Sequence, residues 1–352
     1  LQSLNSDTLK DIKRKNISVE EFQETQQRLS SFNIETFTDL ILGLPNETYD
    51  TFADGTSAVI VNGQHNRIQF NNLSVLPNAE MGEPQYKKKF GFHIVETKII
   101  NIHGSLEGTD EVYETQQLVV GTNTMPKSDW VKTRVFGWLA SLLHFDKLLQ
   151  VPFIILHNNW PVSFRELIEV FASVDKDTPI LYDIHSFFVK KATDIQNGGA
   201  EFCESKKWLN IWWPADELFL IQLCSENRLV NFYDEAKHLI ERYLQKRKFS
   251  DYEPVLNQSI FLNQNLIKLP FQKEDLKICL SYNLRDVYFA ALMGKRFSLE
   301  KGEFHYSIDR TSNKWFSWED WCREVIWYGN KKGAYIYSCK PLTCETEPLR
   351  HK

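Results

Sequence analysis

Six residues early in the chain have types and spacing suited to holding a ligand: Gln2, Arg14, Asp39, Ile41, Gly43 and Leu76. A guanidinium grips a carboxylate through two parallel N–H bonds, an amide or carboxylate pairs with hydroxyls, and a glycine lets another group come close to the backbone. Arg14 lies twelve positions after Gln2, and Asp39 thirty-seven after it. Asp39 opens the run Asp39-Leu40-Ile41-Leu42, where an ionised group needs a partner if the strand is buried. Each residue also has a plainer reading. Arg14 stands between Lys13 and Lys15 at a helix end, where basic side chains complement the helix dipole. Gly43-Leu44-Pro45 is by itself a strand-to-helix turn. No P-loop, nucleophile elbow or Gly-x-Gly-x-x-Gly fingerprint occurs. The nine histidines show no ligand spacing, which argues against a protein-only zinc site, and no metal ligand is assigned.

The elements that must position these residues read as β-α-β-α-β over the first ninety positions. Leu1 to Leu4 is the tail of a strand, and Asn5 or Ser6 caps a short helix containing Leu9 and Ile12. Ser18-Val19-Glu20-Glu21 is a capping box that opens a second helix. Glu35 to Leu42 reads as a buried strand covered on both faces, and Thr48 caps a helix through Phe52 and Val59. Arg67 to Leu76 is a third strand. Strands alternating with helices imply parallel pairing, and β/α barrels place ligands at the C-terminal ends of their strands. Gln2, Gly43 and Leu76 lie at such ends and converge on one rim. Three strands alone leave two raw edges. With the start inside a strand and without methionine, this gives the expectation that the first half of a barrel lies upstream of Leu1.

After about residue 91 the pattern changes. Ile94 to Ile100 and Glu111 to Val120 read as a hairpin around His103 to Thr109. Ser128-Asp129 is expected to cap a long helix reaching Leu149, followed by a helix over Pro161–Val174. Pro214 is placed in the first position of a helix reaching Leu244, with further helices near Lys273–Met293 and Trp318–Trp327. Trp315, Trp318, Trp321 and Trp327-Tyr328 read either as core or as a pocket wall.

The residues quoted resemble the second half of a radical S-adenosylmethionine (SAM) enzyme barrel. There a strand ends in Gln-Ser, as Gln2-Ser3; a helix carries an Arg, as Arg14; and a strand reads Asp-Leu-Ile-x-Gly-Leu-Pro-x-Glu-Thr, as Asp39 to Thr48. The fold class implied is α/β: half of a radical SAM (β/α) partial TIM barrel over residues 1–90, then a mainly α-helical C-terminal domain with a small β-hairpin over 91–352. By the resemblance, Gln2 and Asp39 contact the SAM ribose and its surroundings, Arg14 faces the SAM carboxylate, and Ile41, Gly43 and Leu76 border the adenine. The superfamily's Cys-x3-Cys-x2-Cys motif, which holds a [4Fe–4S] cluster, is absent. The implied reading is therefore a fragment, inactive alone, of an enzyme that cleaves SAM to a 5′-deoxyadenosyl radical. Leu-Gln-Ser-Leu-Asn-Ser-Asp-x-Leu and the helical tail are similar to the cobalamin-binding class, which methylates or rearranges natural products or lipids. That class implies cobalamin and a low-potential electron donor. Three alternatives stand beside it: an oxygen-independent coproporphyrinogen oxidase-like enzyme, an RNA methylthiotransferase, and a cluster-less binding module. The first usually has a His soon after its Arg, where this chain has Lys15-Asn16-Ile17. The second normally ends in a small basic β-barrel.

Bulk properties narrow the partners. The chain has 352 residues, 42% hydrophobic and 25% charged, with a net charge of -5. That charge supplies no global attraction for nucleic acid or anionic membranes, so a small-molecule, lipid or natural-product substrate is expected. Six scattered cysteines, Cys203, Cys224, Cys279, Cys322, Cys339 and Cys344, suit reduced thiols and a cytoplasmic location. No apolar run approaches the ~20 residues of a membrane helix.

Overall fold

The computed structural model describes residues 1–107 and 113–342. At the start, α1 (Ser6–Asp11) is capped by the Asn5 side chain, which accepts from the Asp7 and Thr8 amides. The Ser18–Glu21 capping box opens α2 (Val19–Ser31). Then come β1 (Phe37–Leu42), α3 (Tyr49–Val61) with Thr48 as its cap, and β2 (Arg67–Asn72). β1 and β2 pair in parallel with Asp39 opposite Gln69 and Ile41 opposite Asn71, and α3 is the crossover between them. Thr38, Leu40 and Leu42 are buried while Asp39 and Ile41 are half-buried. The strand therefore has one covered face and one partly open, not the two covered faces its apolar run suggests; period-two geometry sends Asp39 and Ile41 to the open side.

The expected third strand is split. After β2 the chain bends at Leu73 into β3 (Ser74–Val75), with Leu76 just beyond the pairing. The Leu73 amide donates to Leu42 O and its carbonyl accepts from the Val119 amide, both at 2.9 Å, so Leu73 stitches the parallel pair to a second sheet. After α4 (Pro84–Phe90), β4 (His93–Lys98) and β5 (Thr115–Gly121) complete that sheet in the order β3-β5-β4, all antiparallel. β4 and β5 pair as expected; Gly108 and Thr109 of the expected turn and Glu111, the expected start of the second strand, lie outside the described residues.

The single helix expected through Leu149 is two. α5 (Lys127–Ala140) has Pro126 at its N-cap, so Ser128 and Asp129 lie inside the first turn instead of capping it. A π-helical turn at Ser141–Phe145 and a break at Asp146–Leu149 then bend the chain 92° into α6 (Gln150–Asn159). α7 (Phe164–Glu169) and α8 (Pro179–Gln196) follow, then the short hairpin β6 (Cys203–Ser205) and β7 (Ile211–Trp213). Pro214 is an N-cap, not a first helical residue, and Asn227 at φ 56° separates α9 (Ala215–Ser225) from α10 (Leu229–Lys246). α11 (Glu253–Leu266) precedes a segment expected to be helical that begins as a strand, β8 (Leu276–Tyr282). In β8, Ile278 and Leu280 are buried and Lys277, Cys279 and Ser281 exposed, a strict alternation that outweighs helical propensity. After α12 (Leu284–Leu292), β9 (Lys301–Asp309) pairs with β8, α13 (Trp318–Trp321) runs into a π-helical turn at Cys322–Trp327, and β10 (Ser338–Pro341) closes a sheet ordered β10-β9-β8.

Among the described residues Leu44, Leu73, Val75 and Val119 form the smaller of two hydrophobic clusters, and the larger, the core, runs from Phe22 on α2 to Cys339 on β10 and draws on both sides of position 90. Trp321 and Trp315 are buried in it, their indole N–H groups donating to Lys268 O at 2.8 Å and to Glu324 at 2.9 Å. Among the described residues no single helix is long and apolar enough to cross a membrane, and the bent α5–α6 pair, the one candidate by composition, lies in this core.

Candidate functional site

A small set of side chains fixes the first four residues beside β1. The Gln2 carbonyl accepts from the Ile41 amide at 2.9 Å, placing the segment on the edge of β1 away from β2. Ser3 donates its hydroxyl to Glu47, whose other carboxylate oxygen accepts from Thr51 at 2.6 Å; Asn16 donates to Ser3 O at 2.7 Å. Burial raises the Glu47 carboxyl above its ordinary range, opposed by the hydroxyls of Ser3 and Thr51. Ser3, Glu47 and Thr51 thus form one latch that joins the Gln2-Ser3 segment to the end of the β1 motif and to α3.

This latch brings Gln2, Ile41 and Gly43 to the same strand ends. Gly43 turns out of β1 at φ +91°, a conformation L side chains rarely adopt. Asp39 lies one step down the same partly open face, and Asn71 Nδ2 donates to it at 3.0 Å. Ile41 packs with Ile12 and Met81 against Leu44, Leu73, Val75 and Val119. Ile12 and Met81 also line a cavity of about 260 Å³ whose wall includes Arg14 and Leu76. Lys13–Glu80 at 2.7 Å and Tyr86–Asp11 O at 3.2 Å hold the cavity's two sides together. Leu76 is 65% exposed. Among the described residues, the Gln2 amide and the Arg14 guanidinium make no side-chain hydrogen bond, so both donors are available to a ligand. Gln2, Ile41 and Gly43 thus meet at the end of β1 with Asp39 one step down, while Arg14 and Leu76 line a separate cavity whose wall includes none of these four.

A second cavity, about 370 Å³, runs along the free edge of β2 under α5 and α9. It is lined by Gln69, Asn71, Asn72, Gln116, Arg134 and Glu201 among polar groups, and by Ile99, Trp138 and Phe202 among apolar ones. Arg134 is 7% exposed; Nη1 donates to Phe70 O at 2.5 Å, Nε is buried without a partner, and the guanidinium lies 4.4 Å from the Trp138 ring. Burial lowers its pKa, with Glu201 the leading opposing influence. Asn72 donates to Glu201 at 2.7 Å, and Gln116 donates to its other oxygen. These residues escape motif reading, although the alternation of Gln69 and Asn71 with apolar Ile68 and Phe70 is a visible signal.

Behind the cavity, Arg67 of β2 is buried against three carboxylates: Asp146 at 2.5 Å, Asp216 at 3.0 Å and Glu217 at 3.6 Å. His103 meets Glu217 at 2.6 Å, and Asn330 donates to the same carboxylate. Burial drives the Asp146 and Glu217 carboxyls upward despite Arg67 and His103. This cluster ties β2 to the helical region.

No family model matches the chain. It is 36% identical over 145 residues, 41% of its length, to the cobalamin-dependent radical SAM methyltransferase TokK of Streptomyces tokunonensis. It is 31% identical over 182 residues, 51% of its length, to a 2-(S-pantetheinyl)-carbapenam-3-carboxylate methyltransferase of Streptantibioticus cattleyicolor. These matches span 21% and 26% of the two relatives' own lengths. The chain is related to the radical SAM superfamily, through its cobalamin-dependent methyltransferases.

Proposed function

We propose that this chain supplies the SAM-holding strand ends and the substrate-side wall of a radical SAM methyltransferase, with residues 1–90 forming part of its (β/α) barrel and residues 91–352 packing beside it. The observation that supports this reading is the meeting of Gln2, Ile41 and Gly43 at the end of β1, next to a cavity lined by Arg14 and Leu76 whose Ile12 and Met81 pack on the same small cluster as Ile41. In it, Gln2 and Asp39 bond the ribose side of SAM, Arg14 takes its carboxylate, and Ile41, Gly43 and Leu76 enclose the adenine. The free donors on Gln2 and Arg14 and the tight turn at Gly43 fit such a molecule. SAM supplies the adenosyl and methyl groups on which such a reaction draws; the residues here bind and orient it.

The thiols of this chain do not fit an iron–sulfur cluster: no Cys-x3-Cys-x2-Cys occurs, and Cys203, Cys224, Cys322 and Cys339 are buried. The [4Fe–4S] cluster, cobalamin and a low-potential electron donor therefore belong to the proposal for the whole enzyme. The cavity along β2 is the place for a small-molecule or natural-product substrate, its amides and Arg134 meeting polar groups and Trp138 and Phe202 an apolar body. A coproporphyrinogen oxidase-like reading is disfavoured by the sequence after Arg14, Lys15-Asn16-Ile17, which lacks the His usual there.

The test is a calorimetric titration of SAM into the whole cluster-bearing enzyme and into its Asp39→Ala variant. Loss of this hydrogen-bonding carboxylate should weaken binding by roughly 1–3 kcal/mol. Equal affinity in the two proteins, or no SAM binding by the wild type, overturns the assignment.

A further inference from the structure

The C-terminal sheet carries a constellation remote in sequence from the strand ends. β9 is its middle strand, and Ile278, Leu280, Tyr306 and Ile308 face the core and are buried. Alternation therefore sends Cys279, Glu303 and His305 to the opposite, exposed face. Cys279 and His305 are direct cross-strand partners, and Glu303 is two residues from His305 along β9. One ligand atom from each lies within 4.8 Å of those of the other two, and His305 Nε2 is 2.9 Å from Glu303 Oε1.

We propose that Cys279, Glu303 and His305 form a three-ligand site for a divalent transition metal of the zinc class, with water in the fourth position. The donor set selects the metal. Thiolate and imidazole suit zinc and its neighbours, whereas calcium and magnesium require oxygen ligands throughout. Bond lengths of about 2.3 Å to sulfur and 2.0–2.2 Å to nitrogen and oxygen place tetrahedral ligand atoms roughly 3.3–3.7 Å apart. Closing the site therefore needs side-chain rotation of about 1 Å on an exposed face, with the strand backbones unmoved. Thiolate and carboxylate together balance the ion's two charges. Lys277 and Lys301, two residues away along each strand on the same face, are exposed and free to turn to solvent.

The bound ion would clamp β8 to β9 across the excursion that contains α12 and residues 293–300, so it should act on stability. Among the described cysteines Cys279 is the exposed one, and Cys203, Cys224, Cys322 and Cys339 are buried. Cys344, outside the described residues, serves as the control.

Chelator-treated protein is titrated with Zn²⁺ and, as a spectroscopic probe, with Co²⁺. The expected result is one equivalent bound, a thiolate-to-cobalt charge-transfer band, and a thermal midpoint raised by Zn²⁺ but not by Mg²⁺. Cys279→Ser should abolish the band and the midpoint shift. His305→Ala and Glu303→Gln should each weaken Co²⁺ binding by about tenfold or more, the scale of losing a group that shapes a metal site. Cys344→Ser should leave all three readouts unchanged. A band that survives Cys279→Ser, a band lost in Cys344→Ser, or a midpoint that responds alike to Mg²⁺ overturns the proposal. All four positions lie outside the packed core or the described residues, and circular dichroism of each variant verifies folding.

Discussion

At Gly43 the backbone leaves β1 with φ +91°, and a Cβ placed there would stand 3.2 Å from Val119 O and 3.7 Å from Trp130 Nε1. Neither neighbour moves freely: Val119 is held in β5, and Trp130 is fully buried on α5. Gly43→Ala should therefore lose roughly 1–3 kcal/mol through left-handed strain and crowding together. Urea denaturation would register this as a lower midpoint at unchanged slope, and an unchanged midpoint would mean that the turn relaxes freely. The glycine and its strand-end position were legible in the sequence because a glycine between an apolar run and a proline has few other uses. Asp39 was legible as a group in need of a partner. Its actual partner, Asn71, was not, because parallel register is set by the packing of α3 and the distant end of β2, neither of which local pattern encodes.

At the scale of elements, caps and turns were read best where a side chain closes its own ring of hydrogen bonds, as Asn5, Ser18 and Thr48 do. Reading failed where tertiary packing sets the break. Helical periodicity continues from α5 through Leu149, yet the chain turns at Asp146, whose carboxylate is drawn to Arg67 on another element. The β8–β9–β10 sheet is hard to see in the sequence because a helix, α12, follows β8 closely within Lys273–Met293, and only the short alternation by two in β8 marks the strand. The latch at Glu47 makes a prediction of its own. Glu47 is 1% exposed and is the shared acceptor for Ser3 and Thr51, joining the N-terminal segment to α3. Glu47→Ala should destabilise the fold by roughly 1–3 kcal/mol, the cost of stranding buried donors. It should also loosen residues 1–4 selectively, so the Ile41 amide, bonded to Gln2 O, should exchange its hydrogen faster than amides in the middle of α10. Uniform change in both places would show that Glu47 supports the whole fold and not the latch in particular.

For the whole molecule, the decisive joint is the buried cluster around Arg67, where one strand of the parallel pair meets the π-helical break, α9 and the segment near Asn330. A single guanidinium faces Asp146, Asp216 and Glu217, with His103 Nε2 2.6 Å from Glu217. Removing the cation leaves like charges in a site from which water is excluded, so Arg67→Met should cost about 3–5 kcal/mol at neutral pH. The pH dependence follows from the direction of the carboxyl shifts. Burial already raises Asp146 and Glu217 in the folded wild type, and loss of Arg67 would raise them further. A carboxyl raised on folding contributes stability that is fully present below its unfolded pKa, about 4, and is lost as pH rises through the folded value. The variant must therefore lose more stability than the wild type between about pH 4 and pH 7. The gap between the two proteins should be widest at neutral pH and should narrow on acidification. Paired urea melts across that range measure it directly. A gap independent of pH would mean that Arg67 acts through packing alone, and that the joint between the strand pair and the helical region does not depend on charge.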